Sequence, residues 1–557
     1  MKTKFLTHFL SFTLTVVFGF SMHSQSISGT VTDDNGVALP GATVLVKGTT
    51  NGVSTDFDGA FTISASIDDT LVFSFIGYAS QSILVGSSSA INVSLSPDNL
   101  LDEVVVTGYG SQKASNISGS VSIVSREEVE KIKPLRIEDA LQGTTGLNVI
   151  SSPNPGGKPS VLIRGITSFS GTDPLVVIDG INSSLYDMDA ISPSDIESVS
   201  VLKDASTTAM YGVRGGSGVI VITTKSGKKN QDTVFSLDTS FGMQEVDKYI
   251  DVLNASQYAA ILNEGSVTSG GNLIFTDLSS LGVGTNWQKE LFDSAPISTT
   301  NFSASGGSAT TTYFISAGYT SQEGVVGGGD KDFFDRSTFS ANFTTDMSEK
   351  LKAIVQTKYS NIQGNGHGGG QIFNALNFDP TVPLMTDGKY STSGTITQEV
   401  INPMAGLSNS YSDNKTDKLI GKIELQYDLL DNFKITTRIG YSSIWQQQKS
   451  FSPLRFYGVG HNSTNANADL SPRTSDDHSR VSESKQNWFN YTYELFGNYD
   501  FNINDEHNFN VFAGFTIGKQ TYNFLSGSNV DVPNNSWTYA DLSAATGGIE
   551  DQSTGSN

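Results

Sequence analysis

After Asp232 the chain keeps a two-residue rhythm over runs too long for an ordinary soluble sheet, and this narrows the fold more than any other feature. Leu419, Gly421, Ile423, Leu425, Tyr427 and Leu429 alternate with Lys418, Ile420, Lys422, Glu424, Gln426 and Asp428. Beyond the short turn at 430–432, Phe433, Ile435, Thr437, Ile439 and Tyr441 alternate with Lys434, Thr436, Arg438 and Gly440. A strict period of two turns one set of side chains to apolar surroundings and the other to water. The pattern recurs at 491–503, where Phe496 breaks it, at 509–517, and earlier at 300–305, 312–319, 337–343 and 351–359, for about nine strands in all. A soluble β-sandwich with one wet face also alternates. Soluble strands, however, usually run about five or six residues, and here short turns face long Gly/Asn/Ser-rich stretches around 364–414 and 452–484. That asymmetry predicts a transmembrane β-barrel, with Tyr427, Tyr441, Tyr491 and Phe501 near strand ends as interfacial girdles.

The rest of the chain reads as secreted and modular. Lys2 and Lys4, an apolar run over 5–20 and small or polar residues over 21–25 form a secretory signal, assigned to 1–24. No later stretch approaches the roughly 20 apolar residues of a membrane helix. The net charge of −22 disfavours nucleic acid, and the absence of cysteine excludes disulfides and thiolate chemistry. Residues 25–97 predict a β-sandwich, with short strands between turns such as Asp34-Asn35-Gly36 and Asn51-Gly52. Asp56-Phe57-Asp58-Gly59 echoes a calcium loop but lacks the closing Glu, so an Asx turn is expected.

A linker over 98–112 contains Asp102, Glu103, Val104, Val105, Val106, Thr107, Gly108 and Tyr109. Three valines favour a strand, but no partner for them is evident in the sequence. They could add to a sheet edge on another protein, or form a last sandwich strand or a plain linker. Residues 113–229 predict a small α/β domain: a capping box from Ser125 to Glu128 opens one helix, a second spans 136–142, and strands follow at 160–163, 175–178, 198–202 and 219–224. The Gly-rich string at 214–218 lacks the Gly-Lys-Ser/Thr of a phosphate loop and predicts tight turns. His367 has no second ligand nearby, and the six histidines form no Ser/His/Asp set. No catalytic residue, metal or cofactor is expected.

Longer strings carry two resemblances. Gly29-Thr30-Val31, Pro40-Gly41-Ala42, Gly48-Thr49, Thr55-Asp56, Gly59, Phe61 and Phe75-Ile76-Gly77-Tyr78 resemble the carboxypeptidase-regulatory-like domain. Ile163-Arg164-Gly165, Pro174 to Asp179-Gly180, Leu202-Lys203-Asp204-Ala205-Ser206, Tyr211-Gly212, Arg214-Gly215-Gly216 and Gly218 to Gly227 resemble the plug of SusC/RagA-family TonB-dependent outer-membrane transporters. The resemblance implies a mainly β protein: an N-terminal β-sandwich, a small α/β plug and a partial antiparallel transmembrane β-barrel over 230–557. A closed barrel pairs its first and last strands, and one wide enough for such a plug belongs to the roughly 22-strand class, so the resemblance implies an N-terminal fragment.

It further implies that Asp102 to Tyr109 form the TonB box, which pairs as a strand with the periplasmic domain of TonB, energised by ExbB/ExbD. Arg164, Gly165, Asp179, Gly180, Lys203, Asp204, Tyr211, Gly212, Arg214 and Gly218 become the plug signature. The implied setting is the outer membrane of a Gram-negative, Bacteroidetes-like bacterium, in contact with its lipid, with sandwich and box periplasmic. A SusD-like surface lipoprotein would be a partner, and an oligosaccharide or peptide the cargo, with no enzymatic step. The competing functions are a surface glycan-binding adhesin and a signalling receptor without transport.

Overall fold

The computed structural model describes residues 24–556 except 35, 50, 76–77, 96–103, 107–110, 114–118, 153, 167–170, 328–330, 367–369, 393, 395, 397–398, 460–463 and 504–506. The expected signal before Ser24, His367, and Asp102, Glu103, Thr107, Gly108 and Tyr109 of the expected box lie outside the described residues. The chain forms two compact units. Among the described residues no helix is long and apolar enough to cross a membrane.

The first unit holds the sandwich. One sheet orders β4 (Ala60–Ser66), β1 (Ser24–Asp33) and β7 (Val93–Leu95); the other orders β3 (Gly52–Ser54), β2 (Thr43–Val46), β5 (Thr70–Phe75) and β6 (Tyr78–Leu84). Alternate residues turn inward, so Phe61, Ile63 and Ala65 of β4 are buried with Val44, Leu71 and Phe73. Phe61 and Phe73 meet edge to face at 5.4 Å. Asp56 Oδ1 accepts from the amides of Asp58 and Ala60, which is the expected Asx turn. The three valines, β8 (Val104–Val106), pair with β9 (Ser111–Lys113) as a separate two-stranded sheet. The valines thus belong to neither sandwich sheet and have a local partner strand in Ser111–Lys113. The short polar strand that answers the valines carries no apolar signal in the sequence.

The second unit opens with the plug. Its five-stranded sheet orders β10 (Val121–Ser125), β15 (Ile196–Leu202), β16 (Val219–Thr224), β13 (Leu175–Ile178) and β14 (Ile181–Ser183), with β11 (Leu147–Ile150) and β12 (Ser160–Ile163) as a separate hairpin. The capping box is formed: Ser125 Oγ accepts from the Glu128 amide and Glu128 returns a bond to the Ser125 amide. The expected second helix tightens to a 3₁₀ turn at Ile137–Leu141. Val176, Ile178, Val199, Val201, Ile220 and Ile222 sit in one dry core with Leu141 and Met188.

Among the described residues ten antiparallel strands then follow in register: β17 (Gln231–Gln244), β18 (Ala295–Gly307), β19 (Thr311–Glu323), β20 (Phe333–Asp346), β21 (Leu351–Asn365), β24 (Tyr411–Leu430), β25 (Phe433–Ser452), β26 (Arg480–Ile503), β27 (His507–Val530) and β28 (Ile549–Ser556). The sequence rhythm underestimates them in number and length. The polar stretch at the C-terminal end is β28, held by a backbone ladder to β27 rather than by any alternation. β26 and β27 run 24 residues each because polar residues continue the ladder past the apolar band. Tyr441 and Tyr491, expected at strand ends, are therefore cross-strand partners well inside their strands.

Helices also lie after Asp232, of which the two-residue rhythm gives no sign. The helix Ala255–Thr268 is closed by a reciprocal Asn254–Gln257 cap and buries only Ala255, Ala259 and Asn263, too small and polar a stripe to read as amphipathic. Between β21 and β24 lie the helix Gln371–Asn377, the hairpin of β22 (Met385–Thr386) and β23 (Lys389–Tyr390), and the helix Pro403–Ser408. Trp287, Leu291, Val326, Phe378 and Leu407 tie these long connections into one apolar cluster.

Candidate functional site

The two phases of the long strands lead to different places. On β24, Ile423, Leu425 and Tyr427 are exposed, while Lys418, Ile420, Lys422 and Glu424 are buried. The expectation of a watered polar face is corrected here: that face meets the plug. Lys358 pairs with Asp179, and Lys418 lies 3.3 Å from Asp189 and also donates to Tyr186 O. Arg438 Nη1 donates to Gly180 O at 2.8 Å, Arg336 Nη2 to Leu135 O at 3.1 Å, and Asn342 Nδ2 to Lys225 O at 2.7 Å. Asn301 and Ser316 donate to the Asp195 carboxylate. Phe496, the break in the rhythm, is an inward ring beneath the Arg438 guanidinium, 5.4 Å from its centroid. Arg438 also bridges Glu424 at 2.6 Å and Glu494 at 3.2 Å, and Lys422 joins Glu424 at 3.1 Å.

The plug-signature residues do not gather at one place. Arg164 pairs with Asp204, which also accepts from the Ser120 amide; that bond and the guanidinium hold the Asp204 carboxyl below its ordinary value. Lys203 donates to Ser122 Oγ and Thr145 O, fastening the strand and loop beside them, and burial followed by the Arg164 charge lowers its ammonium. Asp179 and Gly180 form the two-residue turn between β13 and β14, both with positive φ. Gly180 is required there twice over, since a Cβ would also come within 2.7 Å of Arg438 Nη1. Asp179 caps β16 through the Thr224 amide and hydroxyl; burial opposes its charge, but Lys358 and then Lys422 outweigh burial and lower its carboxyl. Tyr211, Gly212 and Arg214 line a cavity of about 1460 Å³ beside the long-connection ends of the strands, and Gly212 kinks the chain there. Gly218 packs against Ile163.

Arg136, Glu138, Lys158 and Asp189 were not singled out by the sequence. Arg136 pairs with Asp189 and lies 3.9 Å from Glu138, while Lys158 Nζ lies 3.7 Å from Asp189. Burial works to raise the Asp189 carboxyl, but Lys418, Arg136 and Lys158 together hold it well below the usual range. Glu138 goes the other way: burial, then the Asp189 charge, push it up to about 7. The inward strand residues were at least legible as the polar phase; their plug partners were not, because Asp189 and Lys418 stand 229 residues apart.

Residues 113–219 match the family described as TonB-dependent Receptor Plug Domain, and residues 27–106 the CarboxypepD_reg-like domain. The chain is 36% identical over 458 residues to TonB-dependent receptor P26 of Formosa agariphila, covering 80% of this chain and 46% of that protein. It is 36% identical over 422 residues to TonB-dependent receptor SusC of Bacteroides thetaiotaomicron, covering 72% and 41%. The chain belongs to the SusC/RagA-type TonB-dependent receptors. The RagAB peptide importer in its open-open state shares the fold, with a TM-score of 0.69 at 24% identity over 82% of this chain and 53% of that one. The chain spans about half the length of the curated relatives it matches.

In a TonB-dependent receptor the outward phase faces lipid. On β25 the apolar outward positions run from Phe433 to Trp445, after which Gln447 and Lys449 take over. That span is about 40 Å along the strand at ~3.3 Å per residue, or about 28 Å across a bilayer at the ~45° tilt of barrel strands. It matches the ~25 Å apolar band of such barrels. Phe433 and Tyr499 edge the band at the short-turn side, and Trp445, Phe489 and Tyr491 edge it at the other.

Proposed function

We propose that the full-length protein imports a bulky nutrient across the outer membrane, an oligosaccharide ahead of a peptide, with the work done through the TonB box. In this reading the sandwich and box lie in the periplasm. Asp102 to Tyr109 add as a strand to TonB, which ExbB/ExbD energise, and a SusD-like lipoprotein captures cargo at the surface. Val104 to Val106 must then leave Ser111–Lys113, a three-residue ladder that is cheap to open.

The polar fastening of the plug carries this reading. Each plug–strand bond described above joins polar groups, and water can replace it as the plug moves. Such an exchange costs about 0.5–1.5 kcal/mol per neutral bond and about 1.5–3 kcal/mol per bond to a charged group. A dry interface of the same extent would resist, since its apolar surface would be exposed at about 25 cal/mol per Å².

Deleting residues 102–109 from the full-length protein tests the reading. Uptake of the cognate nutrient should be abolished while surface abundance and binding persist. Undiminished uptake by the deletion would end the proposal.

A further inference from the structure

One group of charges beside the cavity does not balance. Among the described residues, Arg136, Lys158, Arg336 and Lys418 gather round two carboxylates, Asp189 and Glu138. Even with Asp195, the next carboxyl toward Arg336, four cations outnumber three carboxylates in a largely buried place, and the excess charge is costly without a further counter-charge. Asp195 accepts from Ser316 and Asn301, which are uncharged, so it balances no more than one of the cations. The Nε–H groups of Arg136 and Arg336 are both buried without an acceptor. The Phe334 ring, 5.8 and 6.0 Å from the two guanidinium carbons, offers only a weak π face.

Lys158 is the member of the group that opens to the cavity. Its side chain is 35% exposed, its Nζ sits 3.7 Å over the Tyr186 ring centroid, and both residues line the cavity. The opposite wall, from β25 to β27, presents Gln446, Gln486, Asn490 and Gln520 around Trp488. Trp488 stacks on Tyr522 at 5.1 Å. Uncharged amides that both donate and accept, set about a flat ring, suit hydroxyls and the apolar faces of sugar rings.

We propose that the cavity floor is an anion site centred on the Lys158 ammonium, which receives the carboxylate or sulfate of an acidic oligosaccharide. It rests on the import reading only for how a sugar reaches the cavity, since binding needs no transport. The incoming acid supplies part of the missing charge. It also competes with Asp189 for Lys158, so occupancy bears directly on the Asp189–Lys418 pair that joins plug to strand.

The test uses the purified full-length receptor. In crystals soaked with sodium bromide, an anomalous peak should appear beside Lys158 Nζ and vanish in Lys158→Gln. By calorimetry, tetragalacturonate or a sulfated galactan tetrasaccharide should bind at least tenfold more tightly than fully methyl-esterified tetragalacturonate. Lys158→Gln should abolish that preference and Lys158→Arg retain it, and whichever acidic sugar binds identifies the acid. No bromide peak, no acid preference in either sugar, or a preference indifferent to Lys158→Gln would overturn the site. Tighter Lys158-dependent binding of tetraglutamate than of both sugars would overturn the oligosaccharide assignment. If the box deletion left uptake intact while acidic sugars still bound through Lys158, the import reading would fall and the anion site would stand.

Discussion

The interior of the plug and the boundary around it are made of opposite materials. Inside, Val176, Ile178, Val199, Val201, Ile220 and Ile222 pack together, and Ile420 is the one buried member of that cluster contributed by the long strands. Around it, Lys358, Lys418, Arg438, Asn301 and Asn342 reach in from five strands to carboxylates and carbonyls. Apolar contacts cannot be exchanged for water without loss, whereas hydrogen bonds and ion pairs largely can. The difference teaches that the plug coheres through apolar packing and is fastened to its sleeve through polar bonds.

The sharpest way to break this contrast is at Asp189. Asp189→Asn leaves three cations around a neutral amide, and removing one partner of a buried pair costs about 3–5 kcal/mol. Native-state hydrogen exchange of the β12 amides should report that loss; a change below about 1 kcal/mol would mean the boundary is not held electrostatically. Next comes the interior. Ile222→Ala should cost about 2–5 kcal/mol through its cavity, and the loss should not depend on salt, as followed by exchange at β16. Strong salt dependence would contradict a dry core.

Glu138 sharpens the comparison by pH. Its carboxyl stands at about 7 against an ordinary 4.5, so the folded plug binds its proton more tightly than the unfolded chain does. Stability therefore falls as pH rises from about 4.5 through about 7, and the full cost is present above that. Glu138→Gln should stabilise the plug by on the order of 2 kcal/mol near pH 8 and by nothing near pH 4. Melting curves at the two pH values decide it, and an equal shift at both would refute the linkage. The smallest effect belongs to Arg164→Ala. Its pair with Asp204 is open to solvent on the Arg164 side, so the loss should be the smallest of the four and shrink further in molar salt. A cost rivalling that of Asp189→Asn would erase the distinction between exposed and buried pairs.

How much could be read beforehand follows the same division. The strand rhythm from Lys418 to Tyr441 shows which side chains face lipid, because a period of two is local. The Ser125–Glu128 cap and the Asp56 turn were legible for the same reason. The Ala255–Thr268 helix was not, since its buried face is two alanines and an asparagine. Nor was β28, which only backbone bonds specify. Among the expected site residues, Arg164 and Asp204 do meet, while Asp179 and Arg214 serve different surfaces. Pairs such as Arg136 with Asp189 depend on how distant segments fold together, and no spacing announces them.

The strands that outrun the lipid have a further consequence. From Trp488 to Arg480, β26 continues beyond the aromatic edge for about 25 Å of chain at ~3.3 Å per residue, and β25 and β27 rise beside it. This part of the wall thus rises past the apolar band. A diffusing solute would lose its freedom in stages, confined first by the rim and only later by the floor. In the import reading, charges at the base could then steer an incoming ion through high-dielectric water, and the hydrocarbon would never have to accommodate them.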